Sequence, residues 1–215
     1  MEYISLGIFI FTAAMAAGSI LLVTRLLEDH PLPFLRPLFY HNLFTSAFGF
    51  YGIWGQFIIV AVAGSRLDPA LHSTISVFSL LLGLPFLVFG WMMLIRFAAE
   101  ASGKRLGNYF TLVFLIINFG AIAALGLTIR DMAFSDALLL FKYYYIAAAV
   151  LFALISAVLL VRGDSDSPGK KDRAVLALLV TGGAVAQSLA LILIPHSAWM
   201  ALAFVFLLFA TITAV

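Results

Sequence analysis

The run YFTLVFLIINFGAIAALGLTI, Tyr109–Ile129, contains no Asp, Glu, Lys or Arg. About 20 apolar residues in helical form are long enough to cross the hydrocarbon core of a bilayer. No water is available there to bond backbone N–H and C=O groups, so the chain must satisfy them within the segment, as a helix does. Six further runs of the same kind flank it: Tyr3–Val23, Leu38–Gly64, Thr74–Ile95, Leu138–Val161, Val175–Ile194 and Ala198–Val215. Together they predict an all-α polytopic membrane protein, a single bundle of seven transmembrane helices over residues 1–215. The short alternating segments of a barrel are not present.

Composition points the same way. Hydrophobic residues make up 64% of the 215, charged residues 10%, and mean hydropathy is +1.15. Soluble domains carry about 25% charged residues, and a fold this poor in charge could not cover its surface in water. Net charge is only +2, which gives no basis for direct nucleic-acid contact. The absence of cysteine excludes disulfides, thiolate metal ligands and thiol redox chemistry. The first apolar run has no basic segment before it and no small-residue cleavage site, so it is expected to be a retained helix.

Turn-forming residues separate the runs. Glu28-Asp29-His30-Pro31, Arg66-Leu67-Asp68-Pro69, Ser102-Gly103-Lys104-Arg105, Gly163-Asp164-Ser165-Asp166-Ser167-Pro168-Gly169 and Pro195-His196-Ser197 mark the breaks. Nine basic residues fall around the loops after helices one, three and five: Arg25, Arg36, Arg96, Lys104, Arg105, Arg162, Lys170, Lys171 and Arg173. Three fall on the other side: Arg66, Arg130 and Lys142. The positive-inside rule then places the odd loops and the C-terminus in the cytoplasm and the N-terminus outside. Val215 closes an apolar run with no basic flank, so further chain, such as a cytoplasmic output domain, is expected to follow it, the alternative being a short native tail that needs no anchor.

Polar residues inside the runs are few. In helix two, His41, Thr45, Phe48 and Gly52 share one face, and Asn42, Ser46, Gly49 and Gln56 another. Gly49, Gly52 and Gly55 form a strip that permits close helix approach. Gly83-Leu84-Pro85 places a proline, and with it a lost backbone donor, inside helix three. With the orientation above, Gln56, Asn118, Tyr144, Gln187 and Trp199 fall at mid-depth or in the outer half of their helices, and are the expected ligand-binding residues. An aromatic belt, with Lys142 reaching to the headgroups, would give the same pattern. His72 and His196 on the outer side are too few for a closed metal site, and His41 lies toward the other side; no cofactor is expected. Every Asp and Glu lies at a helix end or in a loop, and no nucleophile–base pairing stands out, so no catalytic residues are assigned.

Rhodopsins and G-protein-coupled receptors share the seven-helix count, but the seventh run has no lysine for a retinal Schiff base, and Ile95-Arg96-Phe97 stands where the receptors' Asp-Arg-Tyr would be. Phe48-Gly49-Phe50-Tyr51-Gly52-Ile53-Trp54-Gly55-Gln56, Leu82-Gly83-Leu84-Pro85 with Trp91, and Glu100-Ala101-Ser102-Gly103-Lys104-Arg105 resemble the second helix, third helix and following basic loop of another group. That group is the seven-helix N-terminal sensor regions of bacterial LuxR-type helix-turn-helix regulators and membrane sensor histidine kinases. The resemblance covers the first half of the chain. It implies an input domain in the inner (cytoplasmic) membrane that binds a small apolar or amphipathic molecule or a lipid and signals to the cytoplasm. The alternatives are a small permease, for which Ser19–Arg25 faintly echoes Ser156–Arg162, or a structural membrane subunit.

Overall fold

The computed structural model describes residues 2–48, 68–130, 132–164 and 169–193. Among them are six helices and no strand: α1 (Glu2–Asp29), α2 (Leu35–Phe48), α3 (Pro69–Ala101), α4 (Asn108–Ile129), α5 (Phe134–Val161) and α6 (Lys170–Leu193). Three helical stretches among the described residues are long and apolar enough to cross a membrane: Leu81–Ala101, Asn108–Ile129 and Ser135–Val161. The expected seventh helix, Ala198–Val215, and the second half of the expected second helix, with its glycine strip, lie outside the described residues.

The helices begin and end where local chemistry directs. Pro69 opens α3, where its missing N–H costs nothing because the first-turn donors have no intrahelical acceptor. The expected third helix, Thr74–Ile95, is extended at both ends, to 33 residues. At 1.5 Å per residue that is about 50 Å, longer than the ~30 Å hydrocarbon core. Arg96 and Glu100 sit in the C-terminal turns of this longer helix. Pro85 lies within α3 without ending it.

At the C-terminus of α3, the Gly103 amide donates to the Glu100 carbonyl (3.0 Å) and that of Lys104 to the Ala99 carbonyl (2.8 Å). This is a Schellman closure, and it requires the left-handed backbone that Gly103 adopts at φ 77°.

α3 is the central helix. It packs against α2, α4 and α5, while α1 lies on α2 and α6 on α5. Burial follows this order: 61% of the α3 span is buried and only 22% of the α4 span. The core around α3 is largely aromatic. The Trp91 ring lies 5.1 Å from Phe152 and 6.1 Å from Tyr145, Phe152 lies 5.1 Å from Phe114, and Phe48 stacks on Tyr145 at 5.9 Å. Residues from α2, α3, α4 and α5 thus meet at one level of the bundle.

The outer faces are as apolar as the core. Leu112, Ile116, Ile117 and Leu127 on α4, Leu151, Leu154 and Val158 on α5, and Leu178 on α6 are exposed. In water such a surface would drive association, whereas in lipid it is the solvated face. The loops that follow α1, α3 and α5 meet at one end of the molecule. Pro31 and Pro33 line a groove together with Gly103 and Lys104, and Gly163 abuts Ser102.

Candidate functional site

Three of the buried polar side chains of this apolar bundle, His41, Asn42 and Thr45, lie close together on α2. The expected face of helix two is present: His41, Thr45 and Phe48 are all buried, and Asn42 is buried with them. His41 Nδ1 lies 2.8 Å from the carbonyl oxygen of Gly90 on α3. A carbonyl only accepts, so the ring proton of this bond is on Nδ1. The Thr45 hydroxyl bonds back to the His41 carbonyl at 2.7 Å. Gly90 makes this approach close: a Cβ built there would meet Thr45 Oγ1 at 3.0 Å.

This joint is not fully satisfied. Among the described residues, His41 Nε2 and Asn42 Nδ2 are buried with no hydrogen-bond partner, and so is Tyr144 Oη on α5. With Nδ1 carrying the proton, a neutral His41 presents Nε2 as an acceptor; Asn42 Nδ2 is a donor and Tyr144 Oη can act as either. Leaving such groups unpaired away from water costs about 1–3 kcal/mol each. Tyr144 lies beside Trp91, the residue next to Gly90, with ring centroids 6.4 Å apart.

The residues expected from sequence to bind a ligand fare differently. Asn118 is buried on the inner face of α4, but its Nδ2 donates to the Phe114 carbonyl of its own helix at 2.8 Å. Tyr144 is half-buried, with its hydroxyl in the interior. Gln187 lies on α6, and Gln56 and Trp199 lie outside the described residues. No hydrogen bond joins Asn118 to Tyr144. Sequence reading missed Gly90, a small residue in an apolar run with no polar atom on its side chain to mark it.

Among the described residues there is no group of three or more His, Cys, Asp or Glu that could hold a metal ion. At the end of the bundle where the loops meet, Ser102 Oγ has two carbonyls in reach of its one proton, those of Ala98 (2.6 Å) and Leu159 (2.7 Å), and the buried Arg173 donates from Nε to the Leu160 carbonyl (3.2 Å) and from Nη2 to the Gly163 carbonyl (2.6 Å). These contacts tie α3, α5 and α6 together there, and the open polar atoms of His41, Asn42 and Tyr144 are not part of them. No family model, curated protein or solved structure matches the chain.

Proposed function

We propose that this chain is the input domain of a membrane signalling protein, multi-pass in a cytoplasmic membrane with the loops after α1, α3 and α5 on the cytoplasmic side. Its bundle binds a small amphipathic molecule against α2, α3 and α5. The observation that carries this reading is that three polar atoms, His41 Nε2 and Asn42 Nδ2 on α2 and Tyr144 Oη on α5, are buried in the bundle without a hydrogen-bond partner among the described residues. A ligand with an apolar body and a hydroxyl or amide head would satisfy them while its body fills apolar space. Such a ligand signals only if it binds two helix arrangements with different affinity. The α2–α3 joint, held by the His41–Gly90 bond, is the element it would bias.

Native mass spectrometry of the protein released from lipid nanodiscs, together with a thermal-shift screen of small amphiphiles, tests the reading. A bound or stabilising molecule is expected, and Tyr144→Phe should weaken it about tenfold without lowering the melting temperature of the free protein. Absence of any such molecule, with solute uptake into liposomes, would favour the permease reading. The orientation is tested separately, because the chain has no cysteine of its own to interfere. Lys104→Cys should react with an impermeant maleimide only from the cytoplasmic side, and Met132→Cys only from the other.

A further inference from the structure

A groove of about 770 Å³ opens at the end of the bundle where the loops gather. Its floor and walls come from the α1–α2 turn, the first turns of α2, the last turns of α3 and the α3–α4 loop. Four cationic side chains line it, Arg36, Arg96, Lys104 and Arg105, against a single carboxylate, Glu100. The α3 helix places Arg96 and Glu100 one turn apart, and the Schellman turn at Gly103 brings Lys104 and Arg105 back over them.

Arg96 is held in place but not used up. Its Nη2 donates to Thr111 Oγ1 at 2.7 Å, and its Nε is buried with no partner among the described residues. A guanidinium has five N–H donors; with Nη2 bonded to Thr111 and Nε inside the protein, the remaining Nη hydrogens are the ones that can serve a ligand, with Glu100 as the neighbouring carboxylate. Arg36, Lys104 and Arg105 are exposed around it. The groove is therefore an anchored arginine with three exposed cations at its rim and a net positive charge.

The walls also discriminate among anions. Tyr40 on α2 lines the groove and is exposed, and Leu43, one turn further from the α1–α2 loop, is exposed as well. An apolar track thus leads from the groove along the side of the bundle. A charged head in the groove and apolar chains on that track describe one kind of molecule.

We propose that this groove binds a phosphate group, carried by the headgroup of an anionic lipid whose chains lie along Tyr40 and Leu43. Arg96 is the fixed donor, and Arg36, Lys104 and Arg105 close over the phosphate oxygens. Basic clefts between membrane helices at the cytoplasmic interface suit such headgroups, and bidentate guanidinium bonds favour phosphate over a diffuse counterion. The site is separate from the interior polar atoms of α2 and α5, and stands whether or not those bind a ligand.

The test uses the full chain in nanodiscs of phosphatidylglycerol mixed with phosphatidylcholine, released into the mass spectrometer. The triple variant Arg36→Gln, Lys104→Gln, Arg105→Gln is compared with wild type; all three positions are exposed, and the melting temperature checks that the variant folds. Wild type is expected to retain phosphatidylglycerol over phosphatidylcholine, with that preference falling about tenfold in the variant. In detergent without lipid, inorganic phosphate is added to both proteins. If phosphate stabilises wild type but not the variant and no lipid preference is seen, the groove takes soluble phosphate and the lipid assignment is overturned. Equal retention of the two lipids by wild type and variant, with no phosphate effect, overturns the site altogether.

Discussion

The Nδ1 of His41 and the carbonyl oxygen of Gly90, 49 residues apart in sequence, lie 2.8 Å from each other in the interior of the bundle. This polar bond across α2 and α3 is set among apolar contacts, and in lipid an interhelical bond of this kind contributes about 0.6–1.7 kcal/mol. Replacing His41 by Phe removes the bond and puts a somewhat larger, apolar ring in its place. His41→Phe should lower stability by about 1 kcal/mol, read by thermal unfolding in detergent. A variant as stable as wild type would mean that the bond contributes nothing net.

Gly90 and Thr45 share that joint. A methyl at Gly90 would sit 3.0 Å from Thr45 Oγ1, which is itself tied to the His41 carbonyl at 2.7 Å and has little freedom to move aside. Gly90→Ala should therefore destabilise by about 1–2 kcal/mol through overpacking. Thr45→Ala on top of it should recover part of the loss, whereas Thr45→Ser, which keeps Oγ1, should recover none. Purely additive effects in the double variants would show that the two sites do not touch.

Gly163 is more constrained. A Cβ there would fall 2.5 Å from Ser102 Cβ and 2.7 Å from Ser102 Cα. Backbone cannot give way as a side-chain tip can, so Gly163→Ala should cost about 2–3 kcal/mol. Ser102→Ala should not rescue it, because both clashing carbons remain. Thermal melts of the two variants check this, and a mild Gly163→Ala phenotype would contradict the close approach.

Arg173 is 4% exposed, and it donates to the Leu160 and Gly163 carbonyls at the C-terminal end of α5. A fixed guanidinium fork spans two acceptors in a way that a single ammonium cannot. Arg173→Lys should cost about 1.5–3 kcal/mol, and amide exchange should rise first at the end of α5 and the start of α6. Exchange that rises equally along the chain would argue against a local capping role.

Much of the fold was legible in the sequence. The expected Tyr109–Ile129 run became Asn108–Ile129, and Leu138–Val161 became Phe134–Val161, because long apolar runs and turn-forming residues act locally. Sequence placed Ser102-Gly103-Lys104 at a break, and the backbone turns there through Gly103. The shared face of His41, Thr45 and Phe48 followed from helical spacing alone. The ligand set was less legible. Asn118 satisfies itself on its own helix, and a hydrogen bond to the residue one turn back cannot be told in advance from one to a ligand.

Leu125 and Leu127 on α4 mark the boundary between what the sequence determined and what it did not. They are the same residue two positions apart, yet Leu125 is 7% exposed and Leu127 73%. The sequence by itself determined that these segments are helices, that the chain breaks between them, and that their surroundings are apolar, since each follows from local hydrophobicity and turn chemistry. Only the tertiary structure decided which face of each helix turns inward, that α3 is the centre, and that His41 meets Gly90. The physical reason is that lipid and protein core are equally apolar, so no difference in hydrophobicity along a helix records which side will be packed.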